Sequence, residues 1–90
     1  MRFKFDKKKS NWLKKNRGIG FEEVQALWTD WYYLDQRSDD PEQWRATGWV
    51  KGILYSVIYE ERDDRLGEYI HLVTLWRSTK EERKLYEKRR

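Results

Sequence analysis

The sequence predicts an α+β domain, an antiparallel sheet of four to five strands packed with two N-terminal helices and one C-terminal helix. Three observations predict it. Apolar residues near the start recur at helical spacing. The middle of the chain falls into strand-length apolar runs separated by turn residues. The closing segment opens on residues with capping-box spacing. With 90 residues the chain has room for one domain, residues 1–90, and its six Trp, six Tyr and three Phe supply much of the buried area.

Phe3 and Phe5 alternate with Arg2 and Lys4, the pattern of a short first strand. Asp6 is placed to cap a helix running to about Asn16, with Gly18 as its stop. That helix offers mainly Trp12 and Leu13 to a core, and its other faces carry Lys7, Lys8, Lys14 and Lys15. A second helix is expected from Phe21, with Glu22 and Glu23 in its first turn, where the dipole favours acids. Phe21, Val24, Leu27, Trp28 and Trp31 follow its apolar face.

Strands follow. Tyr32 to Leu34 leads into the polar turn Ser38-Asp39-Asp40-Pro41, Gln43 to Val50 forms the next run, and Lys51-Gly52 is a tight turn before Ile53 to Tyr59. The segment Arg62 to Gly67 reads as a hairpin connection, and Tyr69 to Trp76 as the last strand. The run Ile53 to Tyr59 is apolar on both faces, as a central buried strand would be. Ser78 or Thr79 caps the closing helix through Glu81 or Glu82. The expected core packs Phe21, Val24, Leu27 and Trp28 against Ile53, Tyr55, Val57, Val73 and Leu75.

Composition excludes several function classes. The absence of Cys removes disulfides, thiolate metal sites and Cys nucleophiles, and suits a reducing compartment. No apolar run approaches the roughly 20 residues that span a bilayer. The basic N-terminus has no signal-peptide core, so a cytoplasmic protein without a membrane partner is expected. The net charge of +4 is unevenly distributed. Residues 1–18 carry eight Lys and Arg against Asp6 alone, residues 19–75 carry five against twelve acids, and residues 76–90 carry seven against three. Basic ends around an acidic middle make a polyanion-facing surface if the termini meet on one side of the fold. Two ordinary solvated helices meet the same composition.

No P-loop, nucleophile elbow or paired-His metal spacing occurs. The acids Asp39, Asp40 and Glu42, and Glu60, Glu61, Asp63 and Asp64, read as solvated turns rather than as a Mg²⁺ site. His71 is the only His and lies mid-strand, which favours a structural role. What stands out is a set of Lys, Arg, Glu and Tyr that could cleave RNA without a metal or any cofactor. A base takes the 2′-OH proton, cations hold the phosphorane charge, and an acid protonates the leaving 5′-oxygen. Glu60 and Arg62 have i, i+2 spacing and share one strand face, Arg77 ends the neighbouring strand, and Arg83 and Tyr86 share one helix face at i, i+3. Arg and Tyr at strand ends are more often salt bridges and rim packing.

The chain also resembles a known family nearly end to end. FKFDKKK followed by RGIGFEEV, with Asp6, Lys9, Gly18, Ile19, Phe21, Glu22 and Glu23, is similar to the opening of the BrnT toxins of type II toxin–antitoxin pairs. GWVKGILYSVIYEER matches their paired-strand pattern through Gly48, Gly52, Leu54, Val57, Tyr59 and Arg62. IHLVTLWRSTKEERKLYE matches their close through Thr74, Arg77, Thr79, Glu82, Tyr86 and Glu87. The resemblance implies a RelE-like fold, metal-independent endoribonuclease activity and a ribbon-helix-helix (BrnA-like) antitoxin, whose complex with the toxin binds operator DNA and represses its own promoter.

Two departures bear on the rate. Arg17 stands where the family usually has His, and keeps a cation but cannot shuttle a proton near neutral pH. Trp76 replaces a common Arg, and can stack on a base but not neutralise a phosphate. The expectation is therefore a ribonuclease toxin acting on mRNA, its activity weakened or lost by these exchanges, with Glu60, Arg62, Arg77 and Tyr86 as catalytic residues. Lys7, Lys8, Lys9, Lys14, Lys15, Arg17, Trp76, Lys80 and Arg83 would contact RNA. The alternatives are a non-catalytic nucleic-acid-binding module and an antitoxin-binding module derived from such a toxin.

Overall fold

A computed structural model describes residues 1–90. The chain runs β1 (Phe3–Lys4), α1 (Lys7–Arg17), α2 (Phe21–Val24), a 3₁₀ turn (Gln25–Thr29), β2 (Tyr33–Asp39), β3 (Glu42–Val50), β4 (Ile53–Asp64), β5 (Gly67–Arg77) and α3 (Lys80–Arg89). The five strands form one sheet in the order β1-β5-β4-β3-β2. The α+β class is as expected, but the sheet is mixed rather than antiparallel. β2 to β5 form an antiparallel meander, whereas β1 pairs parallel to β5 through Phe3–Ile70 and Lys4–His71. Alternating residues predicted the strand β1; nothing local states which edge it joins or in which direction.

Local chemistry accounts for the helix ends. The Asp6 carboxylate accepts from the Lys8 and Lys9 backbone N–H groups, and Gly18 closes α1 in the left-handed region at φ 93°. Thr79 caps α3 and Glu82 bonds back to the Thr79 N–H, a complete capping box. The second N-terminal helix is shorter than expected: a single α-turn, α2, tightens into the 3₁₀ stretch and ends at Thr29. Asp30 is fully extended, so Trp31 leaves the apolar face of the helix and meets Tyr86 edge to face on the other side of the sheet.

Strand alternation divides the sheet into two faces. On one, which we call the N-terminal face, Leu13, Ile19, Phe21, Val24 and Leu27 pack on Ala46, Val50, Tyr55, Val57, Tyr59, Ile70, Leu72 and Leu75. Phe3, Trp28 and Ile53 join this core at its margin. Val73 does not belong to it. A bulge shifts the register between Ile58–Thr74 and Tyr59–Leu72, so Val73 is the extra residue and Leu72 takes the inward position.

The opposite, C-terminal face carries Leu54, Ser56 and Ile58 of β4, the residues that alternate with the core set. α3 covers part of it, with Tyr86 against Trp49 and Glu82 bonded to Ser56. The two basic helices α1 and α3 therefore lie on opposite faces of the sheet. The common basic face that the charge distribution suggested does not form, because the connections leading into each helix, not its charge, decide which side of the sheet it covers. No helix is long and apolar enough to cross a membrane.

Candidate functional site

α3 packs against β2 and β3, leaving the far ends of β4 and β5 uncovered on the C-terminal face. There β4 presents Glu60 and Arg62, and β5 presents His71 and Tyr69. The register pairs Glu60 with His71 and Arg62 with Tyr69, so the four side chains form a two-by-two block. β1 and the residue before it add a cationic border: Arg2 and Lys4 lie 5.5 and 4.4 Å from the centre of the Tyr69 ring. Both also reach Asp64, at 2.8 and 2.6 Å.

The electrostatics of the block differ from residue to residue. Glu60 is buried; the Gln43 amide donates to it at 2.8 Å and the Arg62 guanidinium is bonded to it. The Gln43 bond, with help from Arg62, outweighs burial and holds this carboxyl below its ordinary range. Glu60 is thus a fixed carboxylate, suited to holding Arg62 in place rather than to moving protons. His71 is pushed below 6.5 by burial and then by the Arg62 charge, against the opposing pull of Glu60. A His so placed is neutral at pH 7 and open to accept a proton.

The other expected catalytic residues lie elsewhere. Arg77 pairs with Tyr55, five residues along β4 from Glu60, which places it roughly 16 Å away at about 3.3 Å per residue and on the opposite face. Tyr86 is only 3% exposed and is enclosed by Trp31 and Trp49. The structure brings Glu60 and Arg62 together and separates both from Arg77 and Tyr86.

The expected RNA contacts are likewise dispersed. Lys7 is paired with Glu22, and Lys14 lies 3.7 Å from Glu23, while Lys8, Lys9 and Lys15 are exposed on α1 without ion pairs. Lys80 and Arg83 are on α3, where Arg83 is 3.4 Å from Glu87 and lies over Trp49. The Trp76 indole donates to Glu82 at 3.0 Å and stacks under Arg37, so it serves the packing of α3. Arg17 and Arg77 line a notch at the end of β5.

Sequence reasoning missed Tyr69, Lys4 and the partnership of His71. A signal existed. β4 continues to Asp64 and the hairpin turn is only Arg65-Leu66, where a longer connection from Arg62 to Gly67 had been expected. A two-residue turn there fixes the register that sets Glu60 beside His71 and Arg62 beside Tyr69. No group of three or more His, Asp or Glu side chains is arranged to hold a metal ion. No family model matches the chain, and no curated protein matches it.

Proposed function

We propose that this chain is a metal-independent endoribonuclease of the BrnT type, with a RelE-like arrangement of sheet and helices, whose active centre is the open block on the C-terminal face. The observation that carries this reading is the cross-strand grouping of a neutral His71 with Arg62, Glu60 and Tyr69, bordered by Lys4. His71 takes the proton from the ribose 2′-OH as that oxygen attacks phosphorus. Arg62 and Lys4 hold the charge on the phosphorane. The bond from phosphorus to the 5′-oxygen breaks, and the Tyr69 hydroxyl supplies that oxygen's proton. Glu60 positions Arg62. The products are a 2′,3′-cyclic phosphate and a free 5′-OH.

This assignment moves the proton transfers from Glu60 and Tyr86 to His71 and Tyr69. The sequence resemblance supports the biological setting: a cytoplasmic toxin acting on mRNA, neutralised by a ribbon-helix-helix antitoxin and reaching operator DNA only through that complex.

The test is purified protein on a long RNA, with and without EDTA. Cleavage should persist in the chelator, and His71→Ala should slow it about 10²- to 10⁴-fold. The rate should rise with pH through a value below 6.5, as His71 loses its proton. Cleavage that disappears with EDTA and returns with Mg²⁺, or that survives His71→Ala, overturns the mechanism.

A further inference from the structure

At the free edge of β5, beyond the two residues that β1 covers, Asn16, Arg17, Gly18, Trp76 and Arg77 line a shallow, open notch of about 340 Å³. We infer that this notch is a second site, one that holds a backbone phosphate of single-stranded RNA between Arg17 and Arg77 while the neighbouring base stacks on Trp12. The inference rests on the RNA reading for its ligand, but on separate residues and a separate part of the fold.

Charge is the first argument. Arg2, Arg45, Arg62 and Arg83 each have a carboxylate partner. Arg17 and Arg77 have none, as is also true of Arg37, Arg65, Arg89 and Arg90, but these two line one notch together. Arg17 donates to the Leu75 carbonyl at 2.7 Å and is also 3.4 Å from the Thr74 hydroxyl. These bonds anchor its Nη1 and leave the rest of the guanidinium free. Arg77 is exposed and has no side-chain hydrogen-bond partner in the fold. Two like charges lining one notch without a counter-charge repel, and a bound anion reverses that cost. Guanidinium forks match phosphate oxygens. The carbonyl end of α1 also points here, and Lys14, Lys15 and Arg17 in its last turn offset that negative end.

Shape is the second argument. Gly18 is in the left-handed region, and a Cβ there would lie 3.4 Å from the Arg77 guanidinium and 3.4 Å from the Tyr55 hydroxyl. Arg77 thus passes over the backbone at the end of α1 at ordinary van der Waals distance. Trp12 supplies the base platform: Arg17 lies 5.3 Å from its ring centre, yet the side chain is 50% exposed. An exposed indole beside an unpaired guanidinium fits an unstacked base next to its phosphate, which only a single strand offers.

The experiment measures fluorescence anisotropy of a labelled 2′-O-methyl oligouridylate, which cannot be cleaved, so a failure of the ribonuclease reading leaves this measurement intact. Arg77→Ala should weaken binding about tenfold. It should also lower the slope of log affinity against log salt by about 0.7, one single-strand phosphate contact. Arg77→Lys should fall between it and the parent, since the charge stays and the fork is lost. Trp12→Ala should weaken binding at least fivefold, the low end of base–aromatic stacking. Arg65→Ala, which removes an equal charge at the β4–β5 turn, should change nothing. Thermal melts check that each variant is folded. The inference fails if Arg77→Ala binds like the parent, or if Arg65→Ala is equally damaging. It also fails if the complementary duplex binds as well as the single strand, or if millimolar inorganic phosphate displaces the oligonucleotide, which would mark a site for the free ion.

Discussion

The two faces of the sheet are stabilised by different physics. On the N-terminal face thirteen buried apolar residues form the main core, and the main polar group inside it, Ser10, is held by the Phe21 N–H at 2.7 Å. On the C-terminal face the buried positions include Thr47, Ser56, Glu60 and Glu82. Glu82 alone accepts from Ser56, Trp76, Arg45 and the Thr79 backbone. No buried side-chain polar atom is left without a partner, so this second face is not a defective core but a fully bonded one. The difference separates roles: the dry face sets stability, and the bonded face can present charged residues at its open end at little cost to the fold.

The largest expected effect tests the dry face. Phe21→Ala removes a ring 1% exposed and should cost about 3–5 kcal/mol in urea unfolding, with little dependence on pH. A loss below about 1 kcal/mol would mean that α2 does not anchor this core.

Glu82→Gln tests the bonded face. It keeps the shape but removes the charge that faces Arg45, and should cost about 1–3 kcal/mol at pH 7. Its pH dependence should separate it from Phe21→Ala. Burial pushes the Glu82 carboxyl up, but the Thr79 N–H, Ser56, Trp76 and Arg45 together hold it below 4.5. Glu60 is lowered as well, and Glu22, bonded to Lys7 and Ser10, falls to about 2. Groups lowered in the folded state contribute stability that is complete above about pH 4.5 and lost as pH falls towards 2. Acid titration followed by circular dichroism should show this loss in the parent, and a shallower one in Glu82→Gln. Equal slopes would remove Glu82 from the account.

Gly48→Ala probes where the 3₁₀ turn meets the sheet. A Cβ there would come within 2.9 Å of the Leu27 side chain and 3.2 Å of Tyr32. The cost should be about 1–3 kcal/mol. Adding Leu27→Ala removes the clashing atoms, so the double variant should be less destabilised than the two single losses added together. Strict additivity would place the strain at Tyr32 instead.

The smallest effect belongs to the half-exposed margin of α3, where Arg83 lies over Trp49. Arg83→Ala removes an exposed i, i+4 partner of Glu87 and a cation over the Trp49 ring, and should change stability by no more than about 1 kcal/mol in unfolding by urea.

The sequence by itself determined the features that depend on neighbouring residues. Asp6 and Gly18 bound α1, Thr79 and Glu82 start α3, Lys51-Gly52 turns the central hairpin, and the apolar run from Ile53 makes β4 a central strand. Each follows from a hydrogen bond, a backbone preference or a periodicity contained within a few residues. Glu60 and Arg62 were legible as a pair for the same reason, since i, i+2 spacing in a strand is itself local. Only the tertiary structure decided the rest. The parallel pairing of β1 with β5 joins residues more than sixty positions apart, and the Val73 bulge arises between paired strands rather than within one. The side of the sheet that each basic helix covers depends on the handedness and length of its connections, to which net charge is indifferent. His71 became a partner of Glu60, and Arg77 and Tyr86 were parted from it, because cross-strand register sets distances that spacing along one chain does not contain.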